Sequence, residues 1–505
     1  MRTFSIYTLG CKVNQYESQQ IAQLLEELGL SAAVPGEKPD LAVINTCCVT
    51  GTASAKSRQY IQRALKANPA GIRVVCGCLP AMNSRESPPC DGDNVHIIGS
   101  RDDLAQRIAQ IIIGHNPLIK AKNGLKIKDR MAKFAKYPKL PKLSSFKGHT
   151  RAFLKVQDGC DGLCTYCIVP KVRPDVQSKP MEDAIEEAKA LVTAGHKEIV
   201  VTGVNLGAYG QKSVRKTEYR GQNTPRQSFA ASSQNFDYAK HQTAAGSSLR
   251  CEIADLLEEL ARIPSLLRIR MSSLEPGDIS EELLDVFCSH PNIMPHIHLS
   301  VQSGASATLK RMCRQYDAEE LRAKIELIKQ RLDRPAITAD IIVGFPGETA
   351  EDFQETVELS KWAGFSKIHV FPFSVRTGTA AAKLKDRLPA DVIKKRAQIL
   401  RKVSDELGRK FVEQFVGETC EVLLEDTKPM SGRCERYFVV QIQKGEVRRQ
   451  KLEEMRKNEV VRVKITAASS EGATGEAGIG VAGVNFLSGA DAGGGGGGAT
   501  GILFH

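Results

Sequence analysis

The sequence predicts an α/β protein with a parallel α/β sheet domain at the N-terminus, a central partial (β/α)6 barrel and a small C-terminal β-barrel. Its 505 residues are too many for one compact core and suggest about three domains. Strand-like and helix-like hydrophobic periods alternate along most of the chain, which is typical of parallel strands covered by helices. Near residue 412 the helical period stops and short strand-like segments follow one another, which indicates a separate β domain.

The N-terminal domain is predicted to cover residues 1–115. Apolar strand-like segments alternate there with segments of helical period. The strands are predicted at 4–9, 40–45 and 72–76, and the helices at 16–30, 53–68 and 102–113. This βαβα order predicts parallel strands in one sheet with helices on its faces.

Residues 116–150 are predicted to be a basic linker. From Lys120 to Thr150 the sequence has ten Lys or Arg and one Asp, with interspersed Pro and Gly. Two interpretations stay open for this stretch, a solvated connector and an arm that touches RNA.

The central domain is predicted at residues 151–410 and contains six strand–helix units, enough for a partial barrel. In barrels of this type the chemistry takes place at the carboxyl ends of the strands. An insertion at 211–249 is rich in Ser, Gln, Thr and Asn and lacks periodic apolar residues. We therefore expect this insertion to be mobile.

The C-terminal part is predicted to be a small β-barrel at 412–466, followed by a disordered tail at 467–505. CEVLLE, RYFVVQI and VVRVKI have the composition of short strands separated by polar loops. The tail is rich in Gly and Ala and includes GGGGGG, which does not favour a packed core.

The composition favours a soluble globular protein and argues against a membrane-spanning or secreted one. The chain is 42% apolar and 25% charged, as in soluble globular proteins, and its net charge of +12 favours a polyanionic partner such as nucleic acid. No segment approaches the roughly 20 apolar residues that a bilayer-spanning helix needs. MRTFSIYTLGCK lacks the apolar core of a signal peptide, so we expect a cytoplasmic protein with reduced thiols and no membrane association.

Three cysteines stand close together in DGCDGLCTYCIVP, residues 158–170. Cys160, Cys164 and Cys167 follow a predicted strand of the central domain. A four-iron cluster has four corners, so three thiolates would leave one iron open for another ligand. A zinc site that takes its fourth ligand from elsewhere in the chain is the alternative.

Three further cysteines each follow a predicted strand of the N-terminal domain. Cys11, Cys47 and Cys78 are far apart in sequence, but the carboxyl ends of parallel strands share one edge, where the three thiols can converge. The alternative is that each is a small buried hydrophobe at a strand end. The same placement three times favours a shared cluster, with Cys48 and Cys76 as bystanders.

The CxxxCxxC motif in this context resembles that of the radical S-adenosylmethionine (SAM) enzymes. TLGCKVNQYES, INTC and GC resemble the N-terminal domain of the methylthiotransferases within that group. Further motifs of that family follow in order, namely TGVNLGAYG, SSLEP, HIHLSVQSG, RMCRQY, DIIVGFPGET and FPFSVRTGTAA. The C-terminal β-rich segment resembles the RNA-binding TRAM domain.

The resemblance implies two [4Fe–4S] clusters and SAM as cofactors. Its implied metal ligands are Cys11, Cys47 and Cys78 for one cluster, and Cys160, Cys164 and Cys167 for the other. SAM would bind the open iron of the second cluster, and an electron from that cluster would cleave the sulfonium to a 5′-deoxyadenosyl radical. The other SAM-dependent step would methylate a sulfur associated with the first cluster.

Several residues at strand ends are predicted to bind the cofactor. Glycines lack side chains and let a ligand approach the backbone, a carboxylate can accept hydrogen bonds from ribose hydroxyls, and polar side chains can serve the rest of SAM. Ordinary turn and capping roles are the structural alternatives. The residues are Gly203, Asn205, Glu275, Gln302, Ser303, Gly344 and Gly347.

Two positions depart from the family pattern after the third cysteine of the loop. The run is PKVRPDVQSKP, in which Arg173 is kept, Pro174 replaces a glycine and Lys179 replaces an arginine. Proline cannot adopt positive φ, and lysine cannot make bidentate hydrogen bonds. If the family glycine needs a positive φ, the loop must rearrange around Pro174, and the two changes bear on the details of activity more than on cluster binding.

The reaction implied by the resemblance is methylthiolation of C2 of N6-threonylcarbamoyladenosine at position 37 of tRNA. GCKVNQYE resembles the branch that acts on this nucleoside. The implied partners are the tRNA anticodon loop and a reductant protein of the flavodoxin or ferredoxin type. The alternatives are methylthiolation of N6-isopentenyladenosine 37, methylthiolation of a ribosomal-protein aspartate, and a non-catalytic iron–sulfur protein that binds RNA.

Overall fold

The structure is a computed structural model that describes residues 1–82, 94–115, 139–211, 252–443 and 455–481. All but the first residue of the predicted insertion at 211–249 lie outside the described residues. None of the helices in the described ranges combines the length and the apolarity that crossing a bilayer requires.

The N-terminal domain is a five-stranded parallel sheet with the strand order β2-β1-β3-β4-β5. Its strands are β1 (Thr3–Thr8), β2 (Ser31–Ala32), β3 (Leu41–Thr46), β4 (Ile72–Gly77) and β5 (Val95–Ile97), and its helices are α1 (Lys12–Glu27), α2 (Gly51–Ala67) and α3 (Leu104–His115). Helix α1 begins four residues before the predicted 16–30 segment. Asn14 and Glu17 in its first turns are buried although polar, which hides this part of the helix from a hydrophobic period.

The described end of the predicted basic linker is not a solvated connector. Leu143 and Phe146 are 1% exposed and pack in the core of the central domain. The side chains of Gln19, Gln20 and Gln23 on α1 donate hydrogen bonds to three backbone carbonyls of this segment, at distances of 2.8, 2.6 and 3.0 Å. Residues 139–150 therefore bind the N-terminal domain to the central one. Residues 116–138 lie outside the described residues.

The central domain contains two parallel sheets that together provide six strand positions of a partial barrel. One has the order β10-β9-β6 and the other β11-β12-β13-β14, and only Ser272 separates β10 from β11. The strands are β6 (Arg151–Lys155), β7 (Gln157–Asp158), β8 (Gln177–Ser178), β9 (Glu198–Thr202), β10 (Arg268–Met271), β11 (Ser273–Leu274), β12 (His296–Gln302), β13 (Ala336–Val343) and β14 (Lys367–Pro372). The short β7 and β8 pair with each other beside the barrel.

Helices surround these strands and bury the outer faces of the sheets. They are α4 (Val169–Val172), α5 (Met181–Thr193), α6 (Glu252–Ala261), α7 (Glu281–Ser289), α8 (Ser306–Arg311), α9 (Ala318–Arg331), α10 (Ala350–Ala363) and α11 (Ala390–Glu413). Along β12 to β14 the residues Ile297, Leu299, Ile337, Ala339, Ile341 and Ile368 belong to the core under the helices. Because successive strand residues face opposite sides, the alternate positions face the barrel interior. These positions include His296, His298, Thr338, Asp340 and His369.

The C-terminal domain is a closed barrel with the strand order β15-β16-β17-β19-β18. Its strands are β15 (Thr419–Thr427), β16 (Met430–Cys434), β17 (Val439–Gln443), β18 (Val460–Ala468) and β19 (Ala473–Val481). The fold class predicted from the sequence is confirmed, with three domains of these types.

The predicted boundary at 466 is wrong, because the barrel continues to Val481. Strand β19 pairs with both β17 and β18 and closes the barrel. Its sequence, ATGEAGIGV, has few bulky apolar residues, which is why the composition predicts it as part of the disordered tail. The barrel requires small residues there: a Cβ at Gly475 would lie 2.5 Å from Cγ1 of Val463. Residues 482–505 of the predicted tail lie outside the described residues.

We expect truncation after Ala467 to open the C-terminal barrel, whereas truncation after Val481 leaves it closed. Losing β19 removes the buried Ala473 and Ala477 and leaves the edges of β17 and β18 unpaired. Limited proteolysis followed by mass analysis should detect rapid cleavage between 412 and 467 only in the shorter variant. Equal resistance of the two variants would contradict this role of β19.

Candidate active site between the N-terminal sheet and the central barrel

The three predicted thiols of the N-terminal domain lie at the carboxyl ends of adjacent strands. Cys11, Cys47 and Cys78 follow β1, β3 and β4, which are neighbours in the sheet. Gly10, with φ of 103°, packs so closely that a Cβ there would lie 2.8 Å from Sγ of Cys47. The amide of Cys78 donates to the carbonyl of Thr46 at 2.9 Å. The sheet therefore brings the three residues to one edge, as the sequence predicted.

The surroundings of these thiols favour a thiolate at Cys78. A hydrogen bond from Cys48, with the nearby charges of Arg173 and Arg101, lowers the pKa of Cys78 to about 5. Arg101 donates from Nη2 to Sγ of Cys78 at 3.3 Å. Burial instead raises the pKa of Cys47 to about 12. Metal binding would have to supply the stabilisation that Cys47 lacks as a thiolate.

The second set of thiols lies on the loop after β7. The amide of Cys167 donates to the carbonyl of Cys164 at 3.1 Å, so the loop turns back on itself. Two backbone amides point at sulfur: Gly162 N lies 3.3 Å from Sγ of Cys160, and Val169 N lies 3.4 Å from Sγ of Cys167. Backbone donors of this kind support sulfur ligands that carry negative charge.

A guanidinium also stands beside the second set. Arg314 donates from Nη1 to Sγ of Cys164 at 3.1 Å, and its Nη2 lies 3.0 Å from Oε1 of Glu275. Glu275 follows β11, and its backbone amide donates to Oδ2 of Asp278 at 2.8 Å, in the short turn Pro276–Asp278. Arg314 thus connects Glu275, a residue predicted to bind the cofactor, to Cys164, a predicted cluster ligand.

The spacing of the sulfurs bears on the choice between a four-iron cluster and a zinc ion. Around tetrahedral zinc with bonds of about 2.3 Å, sulfur ligands lie about 3.8 Å apart. Within the described residues, neither predicted set of three cysteines has all its sulfur atoms within 4.8 Å of one another. Neither set is therefore arranged around a single tetrahedral ion in this structure, and the assignment of the six cysteines to two [4Fe–4S] clusters stays a prediction. The donors, three thiolates with cationic and amide neighbours, suit a cluster of negative charge.

Arg173 joins the two domains between the sets of thiols. It donates from Nη1 to Glu17 Oε1 at 2.8 Å and to Asp158 Oδ1 at 2.6 Å. From Nη2 it donates to Glu17 Oε2 at 2.9 Å and to Asn14 Oδ1 at 3.1 Å. Lys155 adds an ion pair with Glu17 at 3.2 Å. Glu17 and Asn14 belong to α1, whereas the other three belong to the central domain.

This network is charged and buried. Burial acts to raise the pKa of Glu17, but Arg173 and Lys155 outweigh it and hold that pKa at about 2. Burial also opposes ionisation of Asp158, and the same two cations lower the pKa of its carboxyl below its usual range. Both carboxylates are therefore ionised, and removing their cations would leave them uncompensated.

The two departures from the family pattern have visible consequences here. Lys179 donates to the hydroxyl of Tyr16 at 3.0 Å and contacts Glu187, which also accepts from Tyr16 at 2.7 Å. The single ammonium group thus takes part in a second contact between α1 and the central domain. Beside Pro174, the carbonyl of Arg173 accepts the amide of Cys160 at 3.0 Å, so the loop still supports the second set of thiols.

Tyr437 of the C-terminal domain closes the barrel interior at the amino end of β12. Its ring stacks on His296 with centroids 4.3 Å apart. The guanidinium groups of Arg433, Arg270 and Arg151 lie 4.5, 5.1 and 5.3 Å from its centroid. The interior is therefore polar and cationic at its base.

Arg268 and Arg270 also fasten the C-terminal barrel to the central domain. Both side chains are at most 2% exposed, and Arg270 Nε donates to Glu198 at 2.8 Å. Their other nitrogens donate to backbone carbonyls of the C-terminal barrel at 2.7–3.0 Å, namely those of Glu421, Arg433, Cys434 and Glu435.

The predicted cofactor glycines have packing partners within the protein. A Cβ at Gly203 would lie 3.0 Å from Gln157, and one at Gly344 would lie 2.5 Å from Ile393. Gly347, with φ of 79°, accepts from Arg311 at 2.6 Å through its carbonyl. These contacts explain the glycines without a cofactor, and their role in binding SAM stays a prediction.

The predicted polar cofactor residues differ in whether the structure connects them to the thiols. Ser303 is fully buried, and its hydroxyl lies 3.2 Å from that of Thr356 on α10, which points away from the site. Gln302 ends β12 with φ of 62°, and the amide of Asn205 donates to Gln157 at 2.8 Å. Of the polar candidates, the structure connects Glu275 to the second set of thiols.

Sequence reasoning missed Arg101, Arg314, Glu17 and Asp158. Arg314 and Glu17 lie inside quoted family motifs, RMCRQY and TLGCKVNQYES, but their charge gave no indication of a partner. Arg101 follows a loop, and Asp158 precedes the second set of thiols, and neither has a spacing that predicts a contact. Only the assembled domains bring these charges together.

The chain matches two family models and has curated relatives along most of its length. Residues 154–360 match the Radical SAM superfamily, and residues 3–98 match uncharacterized protein family UPF0004. The threonylcarbamoyladenosine tRNA methylthiotransferase MtaB of Bacillus subtilis is 35% identical over 429 residues, which cover 84% of this chain and 85% of the relative. The chain belongs to the radical SAM methylthiotransferase family. This confirms the identification made from its motifs.

Two further relatives belong to two different branches of tRNA methylthiotransferases. MtaB of Chlamydia pneumoniae is 33% identical and covers 84% of this chain and 87% of its own length. A tRNA-2-methylthio-N(6)-dimethylallyladenosine synthase of Pelotomaculum thermopropionicum is 32% identical, with 85% and 88% covered. Membership of the radical SAM methylthiotransferases makes this chain a transferase with SAM and [4Fe–4S] clusters as cofactors, as predicted.

Proposed function

We propose that this methylthiotransferase places a methylthio group on C2 of N6-threonylcarbamoyladenosine at position 37 of tRNA. The observation that carries the proposal is the presence of two separate sets of three thiols, one in each of two domains that Arg173 joins. Each set has a guanidinium beside it. Two cluster sites, one formed by each set, would suit a reaction that both generates a radical and supplies sulfur.

Cys11, Cys47 and Cys78 would hold one [4Fe–4S] cluster, and Cys160, Cys164 and Cys167 the other. When bound, the clusters and SAM supply the radical and sulfur chemistry that acid–base groups cannot perform at an aromatic carbon. Arg101 neutralises negative charge at Cys78, and Arg314 does so at Cys164. Glu275, held by Arg314 at 3.0 Å, presents its remaining carboxylate oxygen as an acceptor for a cofactor hydroxyl.

Arg173 and its carboxylate partners position the two sites relative to each other. A buried, bidentate guanidinium fixes orientation as well as distance, because both of its nitrogens are engaged on Glu17. Fixed separation matters in a reaction that must bring one carbon within reach of two cofactors, since small misplacements have large effects on rate.

The choice of nucleoside rests on the relatives. Those at 35% and 33% identity are named threonylcarbamoyladenosine tRNA methylthiotransferases, as is a third relative at 32%, the same identity as that of the dimethylallyladenosine synthase. GCKVNQYE supports the same branch. We further propose that the chain acts in the cytoplasm, reads the tRNA anticodon loop and receives electrons from a flavodoxin- or ferredoxin-type protein. An unstacked loop base is the kind of target that RNA-binding proteins read.

The test uses a bacterial host that lacks its own enzymes for this modification. We expect tRNA from cells that express this gene to contain methylthiolated threonylcarbamoyladenosine, detected by mass analysis of digested nucleosides. A matched gene with Cys160→Ala provides the control. Methylthiolated isopentenyladenosine in its place would assign the chain to the other tRNA branch. A modified ribosomal protein with unchanged tRNA would refute the RNA substrate altogether.

A further inference from the structure

We propose that His298, Asp340 and His369 form a site for a single divalent transition-metal ion in the interior of the central barrel. This inference goes beyond the proposed function, because it adds a third metal site to the two that the cysteines would form. It does not depend on which nucleoside the enzyme modifies. The three side chains come from three adjacent strands and offer nitrogen and oxygen ligands.

Parallel pairing places the three side chains side by side on the inner face of one sheet. Asp340 on β13 lies in register with His369 on β14. His298 on β12 lies in register with Thr338, which stands two residues before Asp340 on β13. The residues on either side of the three in each strand belong to the core under the helices or pack against it. Because successive strand residues face opposite sides, the three side chains face the barrel interior.

The ligand atoms of the three side chains are close enough to share one ion. One nitrogen or oxygen atom from each lies within 4.8 Å of those of the other two, and no other such group of three His, Cys, Asp or Glu occurs in the part of the chain that the structure describes. Nε2 of His298 and Oδ1 of Asp340 are 3.2 Å apart. Two ligands around tetrahedral zinc, with bonds of about 2.0 Å, are separated by about 3.3 Å. His369 makes a ring contact with His298, with centroids 5.4 Å apart, and no hydrogen bond among the described residues, so its ring is free to turn toward an ion.

Thr338 holds His298 in the orientation that a metal ligand requires. Its hydroxyl lies 2.7 Å from Nδ1 of His298 and 3.2 Å from Nε2 of His296. The hydroxyl can accept from Nδ1–H of His298 while it donates to His296, and Nε2 of His298 is then unprotonated. Metal-binding histidines are oriented in this way, by a hydrogen bond at the ring nitrogen that does not bind the ion. A cation between the unprotonated Nε2 and Asp340 would then attract both groups.

The alternative is an ordinary hydrogen bond in which Nε2–H of His298 donates to Asp340. That pair would be satisfied without an ion, and His369 would only line the interior. The two interpretations differ in whether the folded protein takes up a metal ion, and the experiment measures that uptake.

The surrounding charges and the donor types fit a divalent transition metal. Two cations near the site are engaged by carboxylates: Lys367, on the same face of β14, pairs with Asp405 at 3.3 Å, and Arg270 at the base of the interior pairs with Glu198 at 2.8 Å. Imidazole ligands favour Zn²⁺ or Fe²⁺ over Mg²⁺. Three protein ligands leave a coordination position open to the interior, as in catalytic zinc sites, and an oxygen-donor group of a bound ligand fits that position.

The experiment uses the holoenzyme with its clusters reconstituted and Zn²⁺ alone as the probe. The protein is dialysed anaerobically against buffered free Zn²⁺, and zinc and iron in each chain are measured by mass spectrometry. We expect about one zinc in each chain in addition to the iron of the clusters, with no loss of iron. Mg²⁺ at the same free concentration should not displace the zinc, because the site has two nitrogen ligands.

Four variants test the ligands. Asp340→Asn and His369→Asn each remove a ligand and should weaken zinc binding at least about 100-fold, whereas Thr338→Val keeps the three ligands and should weaken it roughly 10- to 100-fold. A purely structural role for Thr338 would leave the zinc affinity unchanged. His115→Asn, at an exposed histidine of α3, is the matched control and should bind zinc as the unchanged protein does.

Three outcomes would overturn the site. Absence of zinc uptake by the unchanged holoenzyme would leave His298 and Asp340 as a hydrogen-bonded pair. Zinc uptake with an equivalent loss of iron would place the zinc at the cysteines. Unchanged zinc affinity in both Asp340→Asn and His369→Asn would place the ion elsewhere. If Asp340→Asn fails to bind its clusters, His369→Asn decides the matter, since its residue is exposed on an edge strand of the sheet.

Discussion

Replacing Cys160, Cys164 and Cys167 by Ala is expected to remove about half of the iron and all SAM cleavage. Two four-iron clusters correspond to about eight irons in each chain, and this set would hold four of them at the site where SAM binds. Replacing Cys11, Cys47 and Cys78 should also halve the iron but leave measurable SAM cleavage without methylthiolation. The measurements are iron content after anaerobic reconstitution and 5′-deoxyadenosine released from SAM.

The matched control replaces three cysteines outside both sets, Cys288, Cys420 and Cys434, with Ala. This variant should keep all of its iron and its SAM cleavage. Stoichiometric zinc with no iron in anaerobically purified protein would defeat the assignment of both sites.

Replacing Arg173 by Met should cost about 3–5 kcal/mol of stability, because it leaves Glu17 and Asp158 as buried carboxylates without their main cation. Arg173 is 5% exposed, so water cannot take over its role. We expect the N-terminal domain to detach at lower denaturant concentration than the rest, measured as a separate unfolding transition. Methylthiolation should fall much more than SAM cleavage, because the second set of thiols belongs to the central domain.

Two variants test the cause of that loss. Arg107→Met removes an exposed guanidinium on α3 and should change stability by less than about 0.5 kcal/mol. Combining Arg173→Met with Glu17→Leu should recover part of the loss, since one uncompensated carboxylate disappears with its partner. A single unchanged transition in Arg173→Met would show that the network does not hold the domains together.

The sequence predicted the architecture because both hydrophobic periods are strong in this chain. The positions of Cys11, Cys47 and Cys78 after successive strands were enough to predict their meeting at one edge, since parallel topology fixes where strand ends lie. Strand β19 was not predicted, because its small residues do not show the apolar alternation of an ordinary strand. Small residues are needed there since the strand packs closely against Val463.

The contacts between domains were not predictable from local sequence. Leu143 and Phe146 lie in a stretch whose many cations suggested a solvated linker, yet both are buried against the central domain. Glu17 is a charged residue on a helix, which ordinarily indicates an exposed face, and its partner Arg173 lies 156 residues away. Such pairings depend on how domains dock, and no period or motif within one segment encodes that.

The hydrogen bonds of Arg268 and Arg270 fix the distance between the C-terminal barrel and the central domain. Two buried side chains reach across to carbonyls on different strands of that barrel, so it cannot swing as a tethered domain would. If tRNA binds on the surface of this barrel, as its resemblance to an RNA-binding domain implies, the bound strand would be held at one distance from the interior of the central barrel. A nucleotide one step too near or too far along the strand would then miss that interior, and selection of a single position would follow from the dimensions of the protein.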